Sequence, residues 1–179
     1  MSSSNLIRWC GLAALLAGVA FIVDILLVLT VDADWTNVVY IIAALLMLAG
    51  LVGLHTLQKD NYGRIGQGGF WMVVIAILGQ VAGIIVYLLG SEVLNWLVFP
   101  VGFLAVPVGL MLYGIATLQA KVLPSWCGLG LIIIPLMSIV LGDYGGILFG
   151  LLWLAQGYAL LSWRSTAGQL NQITQTGRT

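Results

Sequence analysis

Charge is what this chain has least of. Six lysines and arginines, six aspartates and glutamates and one histidine serve 179 residues, so 7% are charged while 61% are apolar. A soluble domain carries about 25% charged residues, and a water-exposed surface cannot be made from so few. Acids and bases are balanced and no basic patch exists, which argues against nucleic acid as a partner. The two cysteines, Cys10 and Cys127, stand far apart with no C-x-x-C between them, which argues against a thiol metal or redox site. With one histidine, His55, the chain cannot build a bis-histidine haem site alone. There is no His/Cys/Asp/Glu cluster for zinc, no nucleophile elbow, no phosphate loop and no pair of intramembrane aspartates. No lysine lies within an apolar run, so a retinal Schiff base is excluded too. The expectation is a protein that is not an enzyme and holds no cofactor or metal.

What the chain does have is apolar length. A membrane span needs about 20 apolar residues, and six runs qualify, at about 7–30, 36–58, 67–90, 93–119, 124–141 and 145–163. Strands are a poor alternative, because the runs are long and do not alternate. The run from Trp9 to Thr30 is too long for a signal-peptide core and is read as the first span. The breaks carry turn residues or charge: Asp32-Ala33-Asp34, Lys59 to Gly66, Gly90-Ser91-Glu92, Lys121 to Ser125 and Gly142-Asp143-Tyr144-Gly145. Pro100, Pro107 and Pro135 fall inside the fourth and fifth spans, where they are expected to kink the helices. The fold class is therefore all-α, a six-helix membrane bundle over residues 1–163, followed by a polar Gln/Thr-rich tail, 164–179.

The few charges fall in a pattern. With six spans, the termini and the second and fourth loops share a side, and that side holds Arg8, Lys59, Arg64, Lys121, Arg164 and Arg178, every base in the chain. The opposite loops hold Asp32, Asp34, Glu92 and Asp143; only Asp24 and Asp60 fall outside the division. The positive-inside rule then places both termini in the cytoplasm, and a multi-pass protein of a bacterial inner membrane is expected. Trp9, Trp71, Trp126 and Trp163 mark the inner interface, Trp35 and Trp96 the outer one, and Trp153 alone sits mid-span.

Three runs end on related phrases. Gly53-Leu54-His55-Thr56-Leu57-Gln58 is echoed by Gly114-Ile115-Ala116-Thr117-Leu118-Gln119 and, worn, by Gly157-Tyr158-Ala159-Leu160-Leu161-Ser162; each is followed by a base. Trp9-Cys10-Gly11-Leu12 likewise recurs as Trp126-Cys127-Gly128-Leu129, which makes both cysteines packing residues at equivalent helix starts. The chain divides into three two-helix units, about 1–60, 61–121 and 122–163, all entering the membrane in one sense, so an axis along the membrane normal relates them. In this plan the chain resembles bacterial acid-resistance membrane proteins and their relatives, and small six-span bacterial membrane proteins of no assigned role. The resemblance implies an architecture and no functional residue.

Candidate functional residues are the polar ones within spans. Asp24 lies about 9 Å inside the end of the first span, where an ionisable group is costly; Ala13, Ala17 and Ala20 share its face, so it is expected to point into the bundle. It is either a hydrogen-bonded carboxyl that ties helices or lines an outer vestibule, or a proton or cation site. Gln80 and Gln156 sit near mid-depth, as interhelical glue or as a pocket lining walled by Tyr87, Trp153 and Tyr158. His55 is expected to reach headgroups, with a pigment or haem shared with another subunit as the weaker alternative for this lone cofactor-binding candidate.

Two functions remain open. One is a non-catalytic scaffold or accessory subunit, in contact with lipid and packed in a homo-oligomer or against other membrane subunits through the small-residue stripes Ala13/Ala17/Ala20, Gly69/Ala76/Gly83 and Gly146/Gly150/Gly157. The other is a small-solute transport component. Substrate-binding subunits of energy-coupling-factor transporters also have six spans, and Ala13-x-x-x-Ala17 looks like their first-helix coupling motif; a proton-linked carrier using Asp24 belongs to the same class. A polar-lined cavity beneath the outer loops favours transport, whereas a filled bundle with an exposed small-residue face favours the scaffold.

Overall fold

A computed structural model describes residues 3–30, 35–90 and 92–176, without the side chains of 3–4, 92–103, 143 and 163–176. Six α-helices follow one another: α1 (Ser3–Thr30), α2 (Trp35–Gln58), α3 (Arg64–Leu88), α4 (Glu92–Ala120), α5 (Ser125–Leu141) and α6 (Gly145–Thr176). A single 3-10 turn, Gly142–Tyr144, joins α5 to α6, and the described residues contain no strand. The expected Asp32 and Asp34 loop lies outside the described residues.

Turn chemistry stops the helices where the sequence breaks. Gly90 adopts φ +87, a left-handed conformation that costs glycine little, and its N–H bonds back to the Tyr87 carbonyl at 2.9 Å to close α3. Pro124 precedes α5 and offers its carbonyl to the Cys127 N–H at 2.9 Å. Pro135 lies within α5, which continues through it. One boundary differs from expectation: α6 runs on past the apolar run into the tail as far as Thr176. No proline interrupts Ser165–Thr176, so composition changes there without a helix stop.

Neighbouring helices are antiparallel, and the chain closes into a ring. Phe21 of α1 meets Tyr40 of α2, His55 of α2 stacks on Phe70 of α3, and Gly69 of α3 abuts Gly109 of α4. Gly114 of α4 abuts Gly128 of α5, Gln156 of α6 reaches Cys127 of α5, and Gly150 of α6 abuts Gly18 of α1. The α1–α2, α1–α6 and α3–α4 seams are long, whereas α2 and α3 touch over much less of their length.

Small residues set these seams. A methyl group added at Gly150 would lie 2.7 Å from the Gly18 carbonyl oxygen, and one at Gly157 would lie 2.8 Å from that of Gly11. One at Gly114 would lie 2.7 Å from the Gly128 oxygen. Backbones this close gain dispersion contact that larger side chains would prevent. The glycines expected to face outward thus serve contacts within the bundle. The face expected on α1 is borne out at Ala17 and Asp24 but is centred to one side: Cys10, Ala14 and Phe21 complete the buried stripe, and Ala13 and Ala20 at its edge are half-buried. Phe21 fills a space that Ala20 could not, while Gly11 and Gly18 serve the adjacent α6 face.

The interior and exterior are both apolar. Leu51, Leu54, Leu110, Tyr113, Leu131 and Trp153 fill the half of the bundle nearer the α2–α3 and α4–α5 turns. Outside, Leu16, Ile75, Leu104 and Val140 are more than half exposed, as are Trp9, Trp35 and Trp71 near helix ends. The side chains of Trp96 and Trp163 lie outside the described residues. Over the described residues, α1, α2, α3 and the Gly145–Ser162 part of α6 are long and apolar enough to cross a membrane. Their length and outer surface suit lipid.

Candidate functional site

Toward the C-terminal ends of α1, α3 and α5, the described side chains leave a space between the helices. A cavity of about 340 Å³ lies there, and all six helices contribute to its lining. Most of its wall is aliphatic, proline or aromatic, but four polar side chains interrupt it: Asp24 of α1, Tyr40 of α2, Gln80 of α3 and Ser138 of α5.

Each is placed by its helix. Asp24 continues the buried stripe of α1 one turn beyond Phe21, and only 7% of its surface is exposed. Tyr40 is brought opposite by the antiparallel α1–α2 hairpin, within electrostatic reach of Asp24. Its hydroxyl donates to the Gln80 Oε1 at 3.0 Å, one of the contacts that bridge the loose α2–α3 seam. Ser138 occupies the last turn but one of α5, and its Oγ lies 2.9 Å from both the Ile134 and the Gly145 carbonyl oxygens, so its single proton is directed at backbone. Phe21 stands edge-on to Tyr40 at 6.0 Å and to Phe149 of α6 at 5.1 Å, which makes one aromatic wall beside the carboxyl.

Asp24 is the acid among several described side chains with a buried, unpartnered atom, Gln58 and Gln156 being others. Its Oδ1 is buried with no hydrogen-bond partner among the described residues, although a carboxyl out of water ordinarily takes one. Among the described residues, no lysine, arginine or histidine lines the cavity. Arg8, on the same helix, is sixteen residues away, about 24 Å along the axis. Among the described residues, no group of three or more metal-ligating side chains exists.

The remaining candidates divide. Gln80 belongs to the cavity, whereas Gln156 does not: it is fully buried and donates from Nε2 to the Cys127 carbonyl at 2.9 Å, tying α6 to α5. The expected pocket walls are not walls. Tyr87 and Tyr158 face outward, 46% and 65% exposed, and Trp153 is buried behind Phe149, whose ring lies 6.4 Å from its own. Tyr40, Ser138, Phe21 and Phe149 take that place, unforeseen except through the hairpin geometry that sets Tyr40 at the depth of Asp24.

His55 is turned into the protein rather than toward headgroups. Its ring stacks on Phe70 at 4.0 Å, and its Nδ1 pairs with the Tyr62 hydroxyl. Burial pushes the Tyr62 phenol up to about 12, so it stays protonated, and the imidazole tautomer sets which of the two donates. Tyr62 in turn stands edge-on to Tyr113 at 5.8 Å. Nearby in sequence, Gln58 is fully buried, and neither its Oε1 nor its Nε2 has a hydrogen-bond partner among the described residues. Both cysteines are buried and free.

Fold and site together define an all-helical protein with apolar helices of membrane-crossing length and a polar-studded cavity at one end of the bundle. No family model, curated protein or solved structure matches the chain.

Proposed function

We propose that this protein is a non-catalytic component of solute movement across a membrane, binding a small molecule in the cavity between its helices. One observation carries the reading: Asp24, an acid more than nine-tenths buried and with no hydrogen bond to Oδ1 among the described residues, is one of the side chains lining a space built by all six helices. Ionisable groups within membrane segments commonly mark substrate or ion paths, and ligand sites are concave, mainly apolar and oriented by few polar groups.

The proposal includes six spans in a bacterial inner membrane, with both termini cytoplasmic. It is supported by antiparallel neighbours around the ring and by the position of Lys59, Arg64 and Lys121 at the end opposite the cavity. The cavity then lies in the outer half. Three parallel two-helix repeats are part of the same reading. Their support is a matched contact: each Trp-Cys-Gly-Leu glycine, Gly11 or Gly128, abuts the glycine of a repeated phrase, Gly157 or Gly114. The likeness to acid-resistance membrane proteins remains one of plan.

A scaffold or accessory subunit in a homo-oligomer or larger complex is the second reading, favoured by the broad apolar exterior. The inward-facing glycine seams remove its more specific support.

The test is purification in mild detergent, extraction of bound small molecules and mass spectrometry, for the parent and for Ala44→Phe. Ala44 lines the cavity and is 1% exposed, so the larger ring would occupy ligand space. A compound bound to the parent and lost from the variant supports solute binding. Co-purified membrane subunits with no small molecule in either sample would favour the scaffold.

A further inference from the structure

We infer that the cavity takes an organic cation: a protonated amine whose ammonium sits against Asp24 and whose apolar body fills the remaining space. This inference rests on the reading of the cavity as a solute site and adds the chemical class of its occupant.

Hydrogen-bond direction is the first argument. Tyr40 uses its proton on Gln80 and Ser138 uses its proton on backbone carbonyls. Both therefore turn oxygen lone pairs, not protons, toward anything else in the cavity. With Asp24, that makes three acceptor oxygens from three helices. An ammonium, with up to three donors and no acceptor, complements such a set; a carboxylate or phosphate would meet these three acceptors, with the Gln80 amide N–H group as its donor among the described lining side chains.

Charge is the second argument. Among the described residues the cavity lining holds one acid and no base, so an incoming cation is the group that neutralises it. A charge brought into a span alone is costly, and a paired one much less so.

Size and wall chemistry give the rest. About 340 Å³ is many times the roughly 30 Å³ of a water molecule, far more than a bare monovalent ion needs. Phe21, Tyr40 and Phe149 pack edge to face and line the same cavity as the carboxyl, and aromatic rings in a site with an acid favour cations with apolar substituents through cation–π attraction. Ile25, Ile77 and Val106 line other parts of the cavity and suit a hydrocarbon body.

Isothermal titration of the purified protein in lipid discs tests this with three probes of nearly one shape: phenethylamine, phenethyl alcohol and hydrocinnamate. In discs of phosphatidylglycerol, the amine should bind about 10- to 100-fold more tightly than the alcohol, the gain expected of a charge-assisted contact. Asp24→Asn, which keeps shape and hydrogen bonding, should remove that preference by weakening the amine far more than the alcohol; retained alcohol binding also shows that the variant is folded. If amine and alcohol bind alike in parent and variant, the ammonium class falls and the solute cavity stands. Tightest binding of hydrocinnamate overturns the class as well. If no probe binds, both proposals fall. Repetition in phosphatidylethanolamine discs identifies the source of the amine. A weaker apparent amine affinity there means that a lipid headgroup competes for the site, and an equal one means a free solute; either upholds the cation.

Discussion

Gly68 and Gly69 are adjacent in α3, about 100° apart around its axis, one open and one packed, so they form a matched pair for testing what sets the helix seams. Replacement by alanine changes helix propensity by the same amount at both sites, a gain of about 0.5–1 kcal/mol. Beyond that they diverge. A methyl group at Gly68 meets nothing within 4 Å, whereas one at Gly69 would lie 2.8 Å from the Tyr113 nitrogen and 3.0 Å from the Gly109 carbonyl oxygen. Both are backbone atoms, so relief requires α3 and α4 to separate along a seam that both need. Overpacking of this kind costs about 1–3 kcal/mol. Gly68→Ala should therefore be neutral to slightly stabilising and Gly69→Ala destabilising, with the difference of about 1–3 kcal/mol free of the propensity contribution. Reversible unfolding of both variants in the same mixed micelles measures it. Equal stability of the two would refute the claim that close backbone approach, rather than lipid-facing flexibility, explains the glycine at position 69.

Gln156→Leu should lose about 0.6 kcal/mol, the usual worth of one interhelical hydrogen bond in a membrane; a larger loss in an unfolding assay would mean that its Oε1 also has a partner. Cys10 and Cys127, 5% and 0% exposed, should resist maleimide in the native protein and react fully after denaturation in dodecyl sulfate, as read by mass shift. Against that quiet background, single cysteines at Glu92→Cys and Asp143→Cys should react with an impermeant thiol reagent in intact cells, and Lys59→Cys and Lys121→Cys should not. Labelling of the lysine positions from outside would overturn the proposed orientation.

Most helix boundaries could be read directly, because apolar runs and turn residues are local signals. Expected breaks at Lys59 to Gly66 and Lys121 to Ser125 coincide with the α2–α3 and α4–α5 turns. The C-terminal end of α6 was not legible in this way: a loss of hydrophobicity after Ser162 ends a span, not a helix. Asp24 stood out because a lone acid in an apolar run is rare, and its inward direction follows from its small-residue neighbours. Its company did not stand out. Tyr40 and Ser138 are ordinary in apolar helices, and only antiparallel pairing reveals that they share a depth with Asp24. Trp153 was misplaced as a pocket wall because it shares a face of α6 with Phe149 but lies one turn deeper, where its ring packs toward Gly50. Rotation about the axis is what spacing alone left open at Tyr87 and Tyr158, which face outward.

The contact of Gly11 and Gly18 with Gly157 and Gly150 joins the first helix to the last. During synthesis α2 is available to α1 at once, but the other packing face of α1 must wait until nearly the whole chain has entered the bilayer. The ring is therefore completed by its most distant pair in sequence, and its final step is a loop closure, not local pairing. Until then α1 carries a glycine groove of the right shape for any α6, including that of another copy. A chain that stops before Gly145 leaves the groove permanently open, and two copies held close together can exchange their last helices through it.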